Sequence, residues 1–139
     1  MTFGRRHMAR RNAIQALYQR DITGQSVQEI EDNFVGVDEL DDVDKEYFHC
    51  LIHEVERHHE QIDVVLAECL DRDLVSVGPV ERAILRLGTY ELQYRLEIPT
   101  RVVLNEAVRM SHIFGAEEAY RFVNGVLDGL AKRFGRDTG

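Results

Sequence analysis

The sequence predicts an all-α fold, a compact bundle of about seven helices in a single domain. Apolar residues recur at spacings of three and four along most of the chain, and no stretch shows the alternation of a half-buried strand. An apolar content of 44% with only two prolines in 139 residues favours an ordered helical globule over disorder. A chain of this length can bury about two thirds of its unfolded surface.

The composition also indicates the cellular compartment in which the protein is expected. No apolar run approaches the roughly 20 residues of a membrane span, and no apolar stretch follows the basic start as in a signal peptide. Two cysteines, Cys50 and Cys69, are too few for a disulfide scaffold, so we expect a cytoplasmic protein with reduced thiols.

The first helix, predicted over about residues 5–22, is strongly basic. The first twenty residues hold five arginines and no acid, although the whole chain carries a net charge of -8. An apolar stripe runs through Ala9, Ala13, Ala16 and Leu17. Opposite it, within about 80° on a helical wheel, lie His7, Arg11, Gln15 and Tyr18. Arg6 and Arg10 lie one turn apart on another side, beyond the end of the buried stripe.

This basic helix predicts a contact with single-stranded RNA. Arginine makes forked hydrogen bonds to phosphate, and the ring of Tyr18 offers a surface on which an unpaired base can stack. The alternative is a solvated helix end on which Tyr18 packs against its neighbour. Composition alone leaves both interpretations open.

The next two helices are separated by an acidic segment. Ser26 is predicted to cap a short second helix, with Glu29 completing a capping box, and the buried side holds Val27, Ile30 and Phe34. Residues 36–42 form an acidic loop. A third helix is predicted over about residues 43–58, with four apolar residues inside: Phe48, Leu51, Ile52 and Val55. Residues 21–48 hold ten acids against one lysine, which predicts a solvated face that repels RNA.

Prolines delimit the later helices. A fourth helix is predicted over residues 61–70. Pro79 suits the first turn of a fifth helix, which extends to about residue 96. Pro99 ends that helix, and Thr100 is predicted to cap a sixth that ends near Gly115.

The seventh helix contains the dipeptide Asn124-Gly125. This pair signals a hairpin when strands flank it, but helical spacing continues on both sides, through Ala119, Phe122, Val123, Val126, Leu127, Leu130 and Phe134. We therefore place Gly125 inside a helix, where it costs about 1 kcal/mol against alanine. A glycine there predicts close approach of another helix, or of a ligand.

No motif predicts catalysis. The chain has no glycine-rich phosphate loop, no G-x-S-x-G elbow and no His-Glu-x-x-His zinc helix. His49 and His53 are four residues apart and could share a metal, and His58, His59 and Glu60 follow. No tight third-ligand motif completes the set, so no metal site is predicted, and whether this histidine group binds metal stays open. Glu91 and Glu106 lie in apolar stretches and are expected to pair structurally with an arginine such as Arg82 or Arg86.

Three ordered segments resemble one family. Residues 10–18 read R-R-N-A-I-Q-A-L-Y, and residues 80–92 read V-E-R-A-I-L-R-L-G-T-Y-E-L. Residues 99–128 contain P-T-R-V-V-L-N-E-A-V, then F-G, then F-V-N-G-V-L-D. In order and spacing they resemble the NusB family of bacterial transcription antitermination factors over essentially the full length.

This resemblance implies two three-helix subdomains with a seventh helix, no enzymatic activity and no cofactor. It implies binding to the boxA element of nascent ribosomal RNA transcripts as a heterodimer with NusE, a small-subunit ribosomal protein. The complex would join RNA polymerase and other Nus factors. Whether the chain alone forms a homodimer stays open.

The resemblance also assigns residues by position. A basic arm, residues 1–11, and two later segments would bind RNA through ten residues: Arg5, Arg6, His7, Arg10, Arg11, Tyr18, Phe114, Glu118, Arg121 and Phe122. Glu81 would lie in the NusE-facing region. His7 stands where a third consecutive arginine often occurs in the family, which would make one phosphate contact depend on pH.

Two other functions remain as alternatives. One is an RNA-binding domain related to that of ribosomal RNA cytosine methyltransferases. Such an enzyme needs a dinucleotide-type domain with a glycine-rich loop, which this sequence lacks. The other is a protein-only helical interaction module in which the arginines merely increase solubility.

Overall fold

The structure is a computed structural model, and it describes residues 2–34, 44–115 and 117–137. This part of the chain contains a 3-10 turn at Leu74–Ser76 and seven α-helices: α1 (Thr2–Thr23), α2 (Val27–Asp32), α3 (Lys45–Arg57), α4 (His59–Cys69), α5 (Pro79–Tyr94), α6 (Thr100–Phe114) and α7 (Ala119–Arg133). The predicted all-α fold is confirmed. Among the described residues, none of the helices is both long enough and apolar enough to cross a bilayer.

The helices divide into two compact units. The first, Met1–Arg57, holds α1 to α3, and the second, His58–Gly139, holds α4 to α7. The predicted acidic loop over residues 36–42 and the predicted start of the third helix at residue 43 lie outside the described residues.

The first unit is built around the alanine stripe of α1. Ala9, Ala13 and Ala16 are completely buried, and α1 packs on both α2 and α3. Their small side chains let α3 approach closely with its apolar face, on which Leu51 and Ile52 are also fully buried. The predicted stripe is therefore the core of this unit.

Helix α2 is fixed at its start and on its inner side. The Ser26 hydroxyl oxygen accepts the Glu29 backbone N–H at 3.1 Å, which satisfies one of the unpaired donors of the first turn. The same hydroxyl donates to Glu29 Oε1 at 3.2 Å. Val27 and Ile30 are buried. The predicted cap is confirmed, and it sets the rotation of this six-residue helix.

Helix α5 is the centre of the second unit and contacts α4, α6 and α7. Its closest approach is at Gly88, where an added Cβ would lie 2.7 Å from Leu127 Cδ1 of α7. The expectation that Gly125 marks a helix contact is wrong for the described residues, because none of them from another element has an atom within 4 Å of a Cβ built there. The glycine that packing requires is therefore on α5.

Pro79 occupies the first turn of α5, as predicted, whereas the predicted cap of α6 is wrong. Pro99 is the N-cap residue, and its carbonyl accepts the N–H groups of Val102 and Val103 at 3.0 and 3.2 Å. Thr100 is therefore already helical. It is 5% exposed and its hydroxyl oxygen accepts a hydrogen bond from Arg136 at 3.4 Å.

Arg136 ties the α5–α6 connection together. Its guanidinium donates to the carbonyl oxygens of Leu92 (2.9 Å), Ile98 (2.6 Å), Glu91 (3.1 Å) and Arg95 (2.9 Å). Burial lowers the pKa of Arg136, although the Glu91 and Glu97 carboxylates oppose that shift. These bonds hold the end of α5 and the segment before α6, and the Glu91 and Arg95 carbonyls accept them in addition to the backbone N–H groups of Arg95 and Ile98.

Glu91 is 1% exposed, but its expected pairing with Arg82 or Arg86 is wrong. At 3.6 residues per turn, both arginines lie about 140° or more around α5 from Glu91. Arg86 makes a forked pair with Asp63 of α4 at 2.9 and 3.0 Å, whereas Arg136 is the arginine whose charge interacts with Glu91.

Arg82 and Glu106, which were also expected to form such pairs, have partners nearby in the sequence. Arg82 donates to the carbonyl oxygens of Val75 and Val77 at 3.1 and 2.9 Å, which holds the 3-10 turn against α5. Glu106 is 8% exposed and pairs with Arg109, one turn along α6, at 3.3 Å. These charges serve structure, as predicted, but through other pairings.

Candidate nucleic-acid interface

Helix α1 presents a polar stripe opposite its alanines. Along it, Gln15 is exposed, His7 and Arg11 are half-buried, and Tyr18 is 38% exposed. Residues at this spacing lie one above another on a helix. The structure therefore brings a cationic, an amide and an aromatic side chain to one face, as the helical wheel predicts. Arg5 is exposed on another side of the same helix.

Two arginines of the arm lie against Tyr47 of α3. The guanidinium carbon of Arg6 is 4.3 Å from the Tyr47 ring centroid, and that of Arg10 is 5.6 Å from it. Arg6 Nε also lies 3.9 Å from an Asp44 carboxylate oxygen. These distances fit cation–π contacts.

The expectation that Arg10 lies beyond the buried stripe is wrong, because it is 3% exposed. The reason is the partner that α3 supplies: Tyr47 covers the guanidinium where the helical wheel of α1 alone shows an open side. A direct contact between Arg10 and RNA stays a prediction, and in the protein alone this side chain is packed.

Sequence reasoning gave Asp44 and Tyr47 no role in the site. Asp44 Oδ1 accepts the Tyr47 backbone N–H at 2.9 Å, and the Asp44 carbonyl accepts that of Phe48 at 2.9 Å, so Asp44 caps α3. An aspartate at the start of an apolar helical pattern is an N-cap signal. The Asp44 cap fixes the first turn of α3, which contains Tyr47, beneath the arm.

Arg20, the last of the five arginines, is also structural. Its guanidinium pairs with Glu56 of α3 at 3.0 Å. The basic opening therefore divides by role: Arg6, Arg10 and Arg20 contact α3 or its capping residue, whereas Arg11 lies on the polar stripe with Tyr18.

The remaining predicted RNA residues lie around the α6–α7 corner in the second unit. Glu118 is the exposed N-cap residue of α7 and has a left-handed backbone, with φ of 68°. Phe114 is half-buried at the end of α6. Arg121 is exposed and donates to the Tyr120 hydroxyl oxygen at 3.0 Å, and this hydrogen bond raises the pKa of Arg121. Arg121 therefore points a permanent cation outward.

Phe122 is half-buried under Arg72, whose guanidinium carbon lies 4.8 Å from the ring centroid. Arg72 also pairs with Asp71 at 3.0 Å. Sequence reasoning did not single out Arg72, since a charged residue in a polar connection carries no distinguishing signal. It adds a second cation beside this ring.

Gly125 lies one turn beyond Arg121 on the exposed side of α7, next to the exposed Asn124. Among the described residues, no atom outside this stretch of α7 lies within 4 Å of a Cβ built there, so their packing gives no reason for glycine in mid-helix. The sequence predicted close approach at Gly125 of either another helix or a ligand. The open space beside Gly125 allows the second, close approach of a ligand.

Glu81 lies in the first turn of α5 and is half-buried. A Cβ on Gly78 would overlap its carboxylate, and a Cβ on Gly115 would lie 3.3 Å from Glu81 Oε2. The carboxylate is therefore turned back over Gly78 towards the end of α6. Its place in a partner interface stays a prediction.

Comparison with known proteins gives one consistent result. The family model described as the NusB family matches residues 7–132. Transcription antitermination protein NusB of Alcanivorax borkumensis is 44% identical over 92% of this chain and 85% of its own length. Its namesake in Histophilus somni (strain 2336) is 46% identical over 94% of this chain and 92% of its own length.

A solved structure is similar as well. A crystal structure of the antitermination factors NusB and NusE in complex with double-stranded RNA contains a chain that aligns with a TM-score of 0.83. The two chains are 31% identical, over 91% of this chain and 96% of that one.

Proposed function

The chain belongs to the NusB family, and from that premise we propose that it binds the boxA element of nascent ribosomal RNA together with NusE. It is a transcription antitermination factor and not an enzyme. We extend the proposal to its joining RNA polymerase and other Nus factors in the cytoplasm, where nascent bacterial transcripts are made.

The observation that carries the RNA proposal is the polar stripe of α1. Arg11, Gln15 and Tyr18 lie together on the side opposite alanines that are 0% exposed. Arginine binds phosphate in a fork, and an exposed tyrosine stacks on an unpaired base. The rigid core beneath the stripe holds these groups in a fixed relation, which a sequence-specific contact requires.

The α7 residues offer the same chemistry on the second unit. Arg121 is an exposed cation, Phe122 is an aromatic ring, and Gly125 leaves room for a nucleotide backbone beside them. We propose that this set also contacts RNA.

The net charge explains why a partner is expected. In a chain with a net charge of -8, an arm that neutralises about four phosphates gives a log–log salt slope of only about -3 on single-stranded RNA. A partner that also contacts the RNA makes the second contact intramolecular and strengthens binding. The crystallised NusB–NusE complex holds both proteins with RNA, which supports the proposal that this chain and NusE bind the RNA together. We place Glu81 on the NusE side.

A titration of labelled single-stranded boxA RNA, with and without NusE, tests the proposal. Scrambled single-stranded RNA and a boxA duplex serve as the other ligands. We expect the tightest binding to single-stranded boxA in the presence of NusE. Arg11→Ala should weaken that binding, whereas Arg101→Ala, an exposed arginine of α6 in the second unit, should not.

The alternatives give different results. A domain of the methyltransferase-related kind would bind RNA equally well without NusE. A protein-only module would bind NusE but no RNA in either case. Equal affinity for boxA and scrambled RNA in the presence of NusE would contradict the proposed specificity.

A further inference from the structure

A glutamate of α2 meets two histidines of α3 in the first unit. Glu31 Oε2 lies 2.7 Å from His49 Nδ1, and Glu31 Oε1 lies 2.8 Å from His53 Nε2. The two imidazole rings are 4.1 Å apart between centroids. One donor atom from each side chain lies within 4.8 Å of the others.

The local fold accounts for this arrangement. His49 and His53 are four residues apart, so both project from one face of α3. Helix α2 is held by its Ser26 cap and by the burial of Ile30, and Glu31, the next residue, is directed at the histidines. Sequence reasoning found no third ligand because Glu31 precedes His49 by 18 positions.

We propose that Glu31, His49 and His53 form a zinc-binding site. Two imidazoles and one carboxylate are a ligand set that Zn²⁺ uses, at about 2.0–2.2 Å from each donor. Tetrahedral geometry at that length separates the donors by about 3.4 Å. From one carboxylate oxygen, Glu31 Oε1, the present distances of 3.0 Å to His49 Nδ1 and 2.8 Å to His53 Nε2 need to widen by less than an ångström, which small rotations of partly exposed side chains provide.

The environment suits an open site. The His49 side chain is 57% exposed, that of His53 is 28% exposed and that of Glu31 is 19% exposed. Solvent can therefore reach a fourth coordination position on the His49 side. Burial raises the pKa of Glu31, but the hydrogen bonds and charges of His53 and His49 outweigh it and lower the pKa overall.

A bound ion would join α2 to α3. Because zinc would bind the folded unit and not the unfolded chain, it would also raise the stability of the first unit. No step of the proposed RNA function depends on this site, so the two proposals stand or fall separately.

The test is a zinc titration of metal-free, untagged protein in competition with a chromophoric chelator. We expect one saturable equivalent in the wild type. His49→Gln and His53→Gln should each weaken binding at least about tenfold, since each removes one of three protein ligands. The matched control is His59→Gln, because His59 faces a single carboxylate, Asp63, at 3.2 Å.

Histidine NMR provides a second readout that does not depend on stability. Zinc should shift the ring resonances of His49 and His53 and leave those of His59 unchanged. Thermal unfolding in chelator verifies that each variant is folded. The same zinc affinity in wild type and in the His49→Gln/His53→Gln double variant would overturn the proposal, as would shifts confined to other histidines.

Discussion

Arg10 and Arg11 are adjacent in sequence and lie in opposite environments. Arg10 is 3% exposed and its guanidinium lies over Tyr47, whereas Arg11 is half-buried on the polar stripe of α1. A helix turns about 100° per residue, so one side chain faces α3 and the next faces away from it. Identical chemistry therefore serves packing at one position and is available for recognition at the next.

We predict that Arg10→Ala lowers the free energy of unfolding by about 1–3 kcal/mol, because it removes a buried stem and a cation–π contact. Arg11→Ala should change it by no more than about 0.5 kcal/mol. Urea denaturation followed by circular dichroism measures both. Equal stability losses would mean that the burial of Arg10 contributes nothing specific.

At the scale of an element, the contact between α5 and α7 depends on the absence of one side chain. Gly88 faces Leu127, which is 0% exposed and cannot move into solvent. We predict that Gly88→Ala destabilises the fold by about 1–2 kcal/mol, since overpacking exceeds the helical gain of about 1 kcal/mol.

A double-mutant cycle with Leu127→Ala isolates that contact. The cavity left by Leu127→Ala should accept the new methyl group, so the Gly88→Ala penalty should disappear or reverse in the double variant. Strictly additive losses would mean that the penalty has another origin.

Helix α7 carries two exposed glycines one turn apart, Gly125 and Gly129. Within the described part of the chain, no atom beyond the adjoining stretch of α7 lies within 4 Å of a Cβ built on either. Alanine at each position should raise the free energy of unfolding by about 0.5–1 kcal/mol. If RNA approaches α7 beside Arg121, Gly125→Ala should weaken RNA binding more than Gly129→Ala does. Equal RNA affinities in the two variants would place the RNA elsewhere.

The sequence predicted the helices and their buried faces better than the side-chain contacts between them. The alanine stripe, the Ser26 cap and the position of Pro79 follow from local spacing, which reports burial and helix starts directly. The sequence did not predict the surroundings of Arg10 and Glu91, because these come from residues far along the chain: Tyr47 covers Arg10, and the charge of Arg136 interacts with Glu91. The predicted Thr100 cap is wrong for a local reason, because Pro99 already occupies the N-cap position.

The candidate site divides in the same way. The wheel placed His7, Arg11 and Tyr18 on one face of α1 correctly, since a single helix determines that relation. Arg72 over Phe122, and Glu31 beside His49, require two elements to meet, and no spacing within one element indicates them.

For the whole molecule, net charge sets the background against which RNA binds, whereas the number of phosphate contacts sets how binding responds to salt. The chain carries -8, so the cations that we propose to contact RNA act against a repulsive background. We predict that the log–log salt slope of boxA binding becomes shallower by about 0.7 in Arg11→Ala, the value for one phosphate contact on a single strand. Tyr18→Ala should weaken binding by about 1–3 kcal/mol with an unchanged slope, because stacking is not screened.

Titrations at several salt concentrations separate these effects. Arg101→Ala is the matched control and should alter neither slope nor affinity. Full recovery of Tyr18→Ala binding at low salt would assign that tyrosine to the scaffold.

The Arg136 contacts also bear on the order in which the chain folds as it is made. The carbonyls that accept hydrogen bonds from this side chain belong to residues 38 to 45 positions earlier. On the ribosome, α5 and the start of α6 emerge well before their fastening arginine does. Their junction is therefore completed only after α7 has been translated.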